Sequence, residues 1–161
     1  MNDMVSIESL DLKSSVEDSV NGVFDMMLDM EVDFFSNPDE ESTKNIQIVG
    51  TVGFAGKATG NISILISEAF SRVITGEMLA MEHDEISVAE IRDVIGELSN
   101  MVGGNLKSHL CDVGLTCALT TPVVTTGKDF QIDLINGGLL KHYAFRHSKH
   151  VGFVMVSIKA G

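Results

Sequence analysis

A chain of 161 residues, 44% hydrophobic and 21% charged, has the composition of a single globular domain with its own core. Its formal net charge of −12, without a basic stripe, argues against nucleic acid or an anionic membrane as partner. No apolar run reaches the ~18 residues of a transmembrane helix. The start, MNDMVSIESLDLKSS, lacks the basic and apolar regions of a secretory signal, so cytoplasmic residence is the simplest expectation. The charge is uneven: residues 1–44 hold twelve acids against two lysines, and residues 45–161 hold eleven acids against nine basic residues. The acidic start reads as a solvated helix face or a solubility device.

In chain order, residues 1–11 are expected to fray, within a single domain spanning 1–161. Ser15-Val-Glu-Asp18 resembles a capping box with Asp in place of Glu. Val16, Val20, Val23, Phe24, Met27 and Leu28 then recur at helical spacing, which predicts an amphipathic helix from about Leu12 to Met30. Phe35–Lys44, rich in turn and charged residues, predicts a loop. The period then changes to two. Ile46, Ile48, Gly50, Val52 and Phe54, followed by Ile62, Ile64 and Ile66, predict a hairpin with one buried side.

A short helix follows at Glu68–Met81, with Glu82–Glu85 as linker. Ser87-Val-Ala-Glu90 is a full capping box. Ile91, Val94, Ile95, Leu98, Met101, Val102, Leu106 and Leu110 then carry one long helix, closed near Gly114. Leu115–Thr121 predicts a strand limited by Pro122 and continued at Val123–Thr126. Gly127–Gly138 is loop-like, with a short strand placed at Phe130–Ile135; Leu139–His147 and Val151–Lys159 make a second hairpin. The expected class is α+β: an antiparallel sheet with two long helices on one face, built from pseudo-symmetric α-β-β units. The weak echo of GNISILIS in GFVMVSIK suggests the repeat.

The long helix contains GELSNMVGGN, Gly96–Asn105. With Asp93 set at zero, Glu97 falls near roughly 40°, Asn100 near −20° and Gly104 near 20°, at about 100° per residue. These four form a stripe on the side opposite the apolar residues, flanked by Gly96 and Gly103. Spacing alone fits two accounts. Glu97 and Asn100 are ordinary solvated residues and the glycines ease helix packing, or the glycines strip bulk so that another backbone or a partner helix can approach.

The residues DVIGELSN, Asp93–Asn100, with Pro122 downstream, resemble the signature of the CheC/CheX/FliY chemotaxis phosphatases. That signature is Asp or Ser, three residues, Glu, two residues, Asn, then a later Pro. GTVGFAGKATGNISILISEAF and SVNGVFDMMLDMEV are similar to the hairpin and first helix of its CheX branch, and the likeness spans about 14–159. The resemblance implies a phosphatase acting on the aspartyl phosphate of a CheY-like response regulator. It assigns Asn100 to orienting the attacking water and Glu97 to pairing with a lysine of the partner. Asp93 matches the outer position; it, Gly103 and Gly104 are expected at the partner interface. The resemblance implies no cofactor on this chain, with Mg²⁺ supplied by the phosphorylated regulator, and a homodimer. Asp18-Ser-Val-Asn21 in the first helix reads as a degenerate second site. Arg92 and Lys107 flank the motif and offset some of the acidity.

The rival function is a non-catalytic module on the same fold that binds a receiver or another signalling protein; a weaker one is a purely structural domain. Other signals are discounted. His142, His147 and His150 have no partner Cys or carboxylate at metal-ligand spacing, so no metal site is expected. Cys111 and Cys117 form no CxxC pair and read as half-buried free thiols. No nucleophile elbow or phosphate-binding loop occurs.

Overall fold

The computed structural model describes residues 11–128 and 139–160. The expected frayed start, up to residue 10, and the strand expected at Phe130–Ile135 lie outside the described residues. The elements are α1 (Leu12–Leu28), β1 (Asp33–Phe35), α2 (Glu40–Lys44), β2 (Ile48–Gly56), β3 (Ala58–Ile66), α3 (Glu68–Leu79), α4 (Val88–Asp112), β4 (Cys117–Leu119), β5 (Val123–Thr126), β6 (Leu139–His147) and β7 (His150–Ala160).

The start of α1 differs from the expected capping box. Asp11 caps it, accepting a hydrogen bond from Ser14 N at 3.1 Å, while Ser15 is buried one turn further in. The helix ends at Leu28 rather than Met30. Asp29 turns left-handed at φ 51°, and Met30 N donates back to Phe24 O at 3.0 Å. The expected loop at Phe35–Lys44 contains the end of β1 and the one-turn-plus helix α2, whose cap Asp39 accepts from Ser42 N at 2.9 Å. The strand expected at Leu115–Thr121 is shorter, Cys117–Leu119.

The strands form one seven-stranded sheet in the order β1-β6-β7-β3-β2-β4, with β5 also on β2; every pairing is antiparallel. The sheet has an internal symmetry. Each half is a helix, a short strand or pair of strands, and a hairpin: α1 with β1 and β2–β3, then α4 with β4, β5 and β6–β7. The short strands are exchanged, since β1 pairs with β6 and β4 and β5 pair with β2. The halves meet where β3 runs beside β7, from Ala58↔Ala160 to Ile66↔Gly152.

One face of the sheet is covered by helices. Val52, Phe54, Ile62, Ile64, Ile66, Val154, Val156 and Ile158 are buried against apolar residues of α1, α3 and α4. Phe24, Phe70 and Phe145 pack edge to face or tilted at its centre, with ring centroids 5.6–6.3 Å apart. The opposite face carries a smaller buried group of Val49, Leu65, Ala144 and Phe153.

The helices α1 and α4 run antiparallel. Ile95 and Ser99 lie over Gly50, and Gly103 over Val52, so α4 follows β2. The helix α1 begins near Tyr143, beside which Lys13 and Glu17 line a hollow, and the chain after it reaches His147, whose Nδ1 hydrogen bonds Glu31 O at 2.8 Å. It therefore follows β6, which opposes β2 in direction. No helix among the described residues is long and apolar enough to cross a membrane.

Candidate functional site

The helix α4 starts with the full capping box its sequence predicts. Glu90 N donates to Ser87 Oγ at 3.1 Å and Ser87 N donates to Glu90 Oε1 at 3.0 Å. The bond from Ser87 N, and after it hydrogen bonding by the Ser87 side chain, hold the Glu90 carboxyl below the usual range. The helix runs 25 residues, and Gly114, at φ +86°, closes it by donating to Cys111 O at 3.0 Å. Its rotation is fixed by Ile91, Val94, Ile95, Leu98, Val102, Leu106 and Leu110, all buried. That anchoring turns Asp93, Glu97 and Asn100 to solvent, with Gly104 half-buried beside them. Among the described residues, none of the three side chains makes a hydrogen bond or ion pair.

Of the two accounts of the glycines, Gly103 and Gly96 follow the one in which they ease packing. Gly103 is buried; a Cβ there would come within 3.1 Å of Val52 Cγ1. Its missing side chain brings α4 down onto the sheet, so the space expected for a partner at Gly103 is filled by β2. Gly96 is also buried, and an added Cβ would lie 3.5 Å from Val124 Cγ2. Only Gly104 keeps room at the surface, where an added Cβ would lie 4.0 Å from Leu119 Cδ1.

The same distances place the β4–β5 connection. Leu119 lies beside Gly104 and Val124 beside Gly96, so Thr120–Val123, including Pro122, passes alongside α4 at the turn that carries Asn100. The connection is braced at both ends. Gly53 N donates to Thr120 Oγ1 and Thr120 N donates to Gly53 O, each at 2.9 Å, and Arg92 Nη2 donates to Val124 O at 2.8 Å. Sequence reasoning marked Pro122 but missed Thr120 and the brace from Arg92. Periodicity does not reveal which residue meets a distant edge strand.

Asp93, Glu97 and Asn100 are exposed on the ridge, and the hollows beside Phe34, Arg92, Asn21 and Lys149 are lined by other residues. An exposed helix face gives a small substrate little enclosure. One carboxylate and one amide, i and i+3 on a rigid helix, can instead enter a pocket brought by another molecule. The carboxylate can accept from a cation, and the amide can both donate and accept.

Asp18 and Asn21 are both exposed on α1. They line a hollow of about 730 Å³ with Asp25, Glu31 and Asp33. The extra carboxylates make that surface repulsive to an anionic phosphoryl group. Among the described residues no group of three or more His, Cys, Asp or Glu side chains is placed to hold a metal ion. His150 instead stacks on Phe70 with centroids 5.3 Å apart, and burial, then Lys149, His147 and His83, push its pKa down. Cys111 and Cys117 are free and half-buried; burial, then Cys111, raises the pKa of the Cys117 thiol.

An antiparallel sheet with exchanged short strands and two antiparallel helices on one face defines the α+β class of the CheC/CheX type. Within that class, the chain belongs to the chemotaxis phosphatase CheX family, whose model matches residues 48–145. The chain is 30% identical over 115 residues to the CheY-P phosphatase CheX of Thermotoga maritima, covering 71% of this chain and 73% of the relative. The chemotaxis protein CheX of Vibrio vulnificus has the same fold, with a TM-score of 0.80 at 23% identity over 92% of this chain and 97% of that one. The CheX–CheY–BeF3–Mg²⁺ complex of Borrelia burgdorferi contains a similar chain, with a TM-score of 0.73 at 19% identity, covering 93% and 99%. The family match spans all of α4 and ends before the last residues of β6; it does not include α1.

Proposed function

We propose that this protein dephosphorylates the aspartyl phosphate of a CheY-like response regulator through Glu97 and Asn100. The observation that carries the reading is the ridge itself. Glu97 and Asn100 project side by side from a buried, capped helix with no partner among the described residues. Family membership supplies the reaction, and the Borrelia complex of CheX with CheY supplies the kind of partner.

An aspartyl phosphate is an acyl phosphate. A water oxygen attacks phosphorus in line, the bond from phosphorus to the aspartyl oxygen breaks, and the carboxylate leaves as inorganic phosphate forms. The receiver brings its own Mg²⁺ and lysine, and this chain adds position. Asn100 reaches into the receiver's pocket and orients the water through its amide. Glu97 accepts a hydrogen bond from the receiver's lysine and sets the register of docking. Asp93 and Gly104 lie on the same ridge at the edge of the contact. The acidic chain meets an acidic pocket, so the complex gains little from long-range attraction and is transient. The protein acts in the cytoplasm, where its receiver resides.

We extend this to a homodimer. Among the described residues β1 covers β6 only at Ala144–Arg146, leaving its earlier residues as an open edge at which a second copy can pair. Sedimentation equilibrium checks the assembly.

The function is tested by the decay of a phosphorylated receiver with trace amounts of wild type or Asn100→Ala. The expected result is acceleration by wild type at substoichiometric amounts, lost in the variant. Decay at the spontaneous rate with every receiver, alongside measurable binding, would favour a non-catalytic binding module.

A further inference from the structure

Ser15, Ser19, Gly22 and Met26 share one stripe of α1, spaced by four, three and four residues, and Ser19 and Gly22 on that stripe meet Asn105 of α4. Ser15 and Ser19 are buried and Gly22 is half-buried. Met26, on the same stripe, is 82% exposed, more than any other exposed large hydrophobic among the described residues. The stripe therefore stops packing at its last position and leaves an apolar side chain in water.

The place where this happens follows from the helix pairing. Asn105 Nδ2 donates to Ser19 O at 3.4 Å, and a Cβ on Gly22 would lie 3.6 Å from the same nitrogen. The helices are antiparallel, so one turn onward along α1 is Met26 and one turn back along α4 is Met101. A four-residue step is about 6 Å on each helix. Met26 thus stands level with Met101, which is half-buried against the core, follows Asn100 in sequence and lies one turn from Glu97. The ridge has an apolar shoulder on its α1 side and the β4–β5 connection on the other.

We infer that Met26 is a docking residue for the receiver, buried by the partner's surface when Asn100 enters its pocket. This rests on the phosphatase reading above. Charge carries the argument for an apolar contact: an acidic chain and an acidic receiver pocket attract each other poorly, so affinity must come from short-range burial. An unbranched thioether suits that role, and methionine is enriched at the centres of interfaces. The matching surface is an apolar patch beside the receiver's phosphorylation pocket. Met26 positions the partner and takes no part in the chemistry.

The test is the dependence of dephosphorylation rate on phosphorylated-receiver concentration, for wild type, Met26→Ala, Met26→Leu and Asn100→Ala. Met26→Ala is expected to raise the half-saturating concentration about fivefold with the maximal rate unchanged, and Met26→Leu to restore it. Melting temperatures should match, because the side chain is mostly in solvent. Unchanged half-saturation in Met26→Ala, with Asn100→Ala inactive, overturns the docking role and leaves the phosphatase reading standing. Wild-type turnover by Asn100→Ala overturns both.

Discussion

Gly50 of β2 and Ser99 of α4 share one space: a Cβ on Gly50 would collide with Ser99 Oγ and come within 3.1 Å of Ile95 Cγ2. Ser99 is 1% exposed, and its hydroxyl is already committed to Ile95 O at 2.7 Å. This contact, with that of Gly103 on Val52, sets how low α4 lies on the sheet and therefore how the ridge is aimed. Gly50→Ala should cost about 1–3 kcal/mol through overpacking. Urea unfolding measures it. Adding Ser99→Ala removes the nearest atom and should recover part of the loss; no recovery would mean that Gly50 matters for another reason.

Among the described residues the side chains of Glu97 and Asn100 are exposed and make no hydrogen bond or ion pair, so function and stability should separate there. Asn100→Ala and Glu97→Gln are each expected to change stability by no more than about 0.5 kcal/mol. Asn100→Ala should lower the maximal dephosphorylation rate about a hundredfold through loss of water positioning. Glu97→Gln removes the charge but not the shape, and should chiefly raise the half-saturating receiver concentration, by about tenfold. Thermal melts run beside the kinetics decide whether either effect is really unfolding.

His150 stacks on Phe70 and binds its proton less readily folded than unfolded, because of burial first and then the nearby Lys149, His147 and His83. Its contribution to stability is complete above the ordinary histidine value of 6.5. Below that value the unfolded chain takes up the proton first, and the contribution declines until the folded site protonates too. Unfolding free energies measured from pH 8 to pH 5 should fall less steeply in His150→Phe, which keeps the ring. Identical slopes would remove His150 from the account.

Arg72 ties α3 to the turn before α4. Its Nη1 donates to His83 O at 3.1 Å and Ile86 O at 3.2 Å, while Nε and Nη2 donate to Glu68 Oε1 at 3.2 and 3.1 Å. An ammonium cannot reach these groups in one fixed fork. Arg72→Lys should therefore cost about 1–2 kcal/mol. Faster amide exchange at the first turn of α4 would locate the loss at the cap; unchanged exchange there would show that the clamp does not hold it.

The sequence by itself determined the helix that carries the site. The apolar spacing of Ile91–Leu110 and the Ser87–Glu90 box are local properties of the chain, and they suffice to say that Asp93, Glu97 and Asn100 point away from the core. The alternation in Ile48–Phe54 and Ile62–Ile66 was equally legible, because a strand with one buried face writes its period into neighbouring residues. The tertiary structure alone decided what stands beside each face. Gly103 looked open until Val52 filled its space, and Ser15 looked like a cap until Asp11 took that role and Ser15 turned inward. The three residues of β1 are too few to show a period, and their pairing with β6 joins Asp33–Phe35 to residues more than a hundred positions away. Periodicity records which side of an element avoids water; which element comes to cover that side depends on long-range packing, which no local pattern encodes.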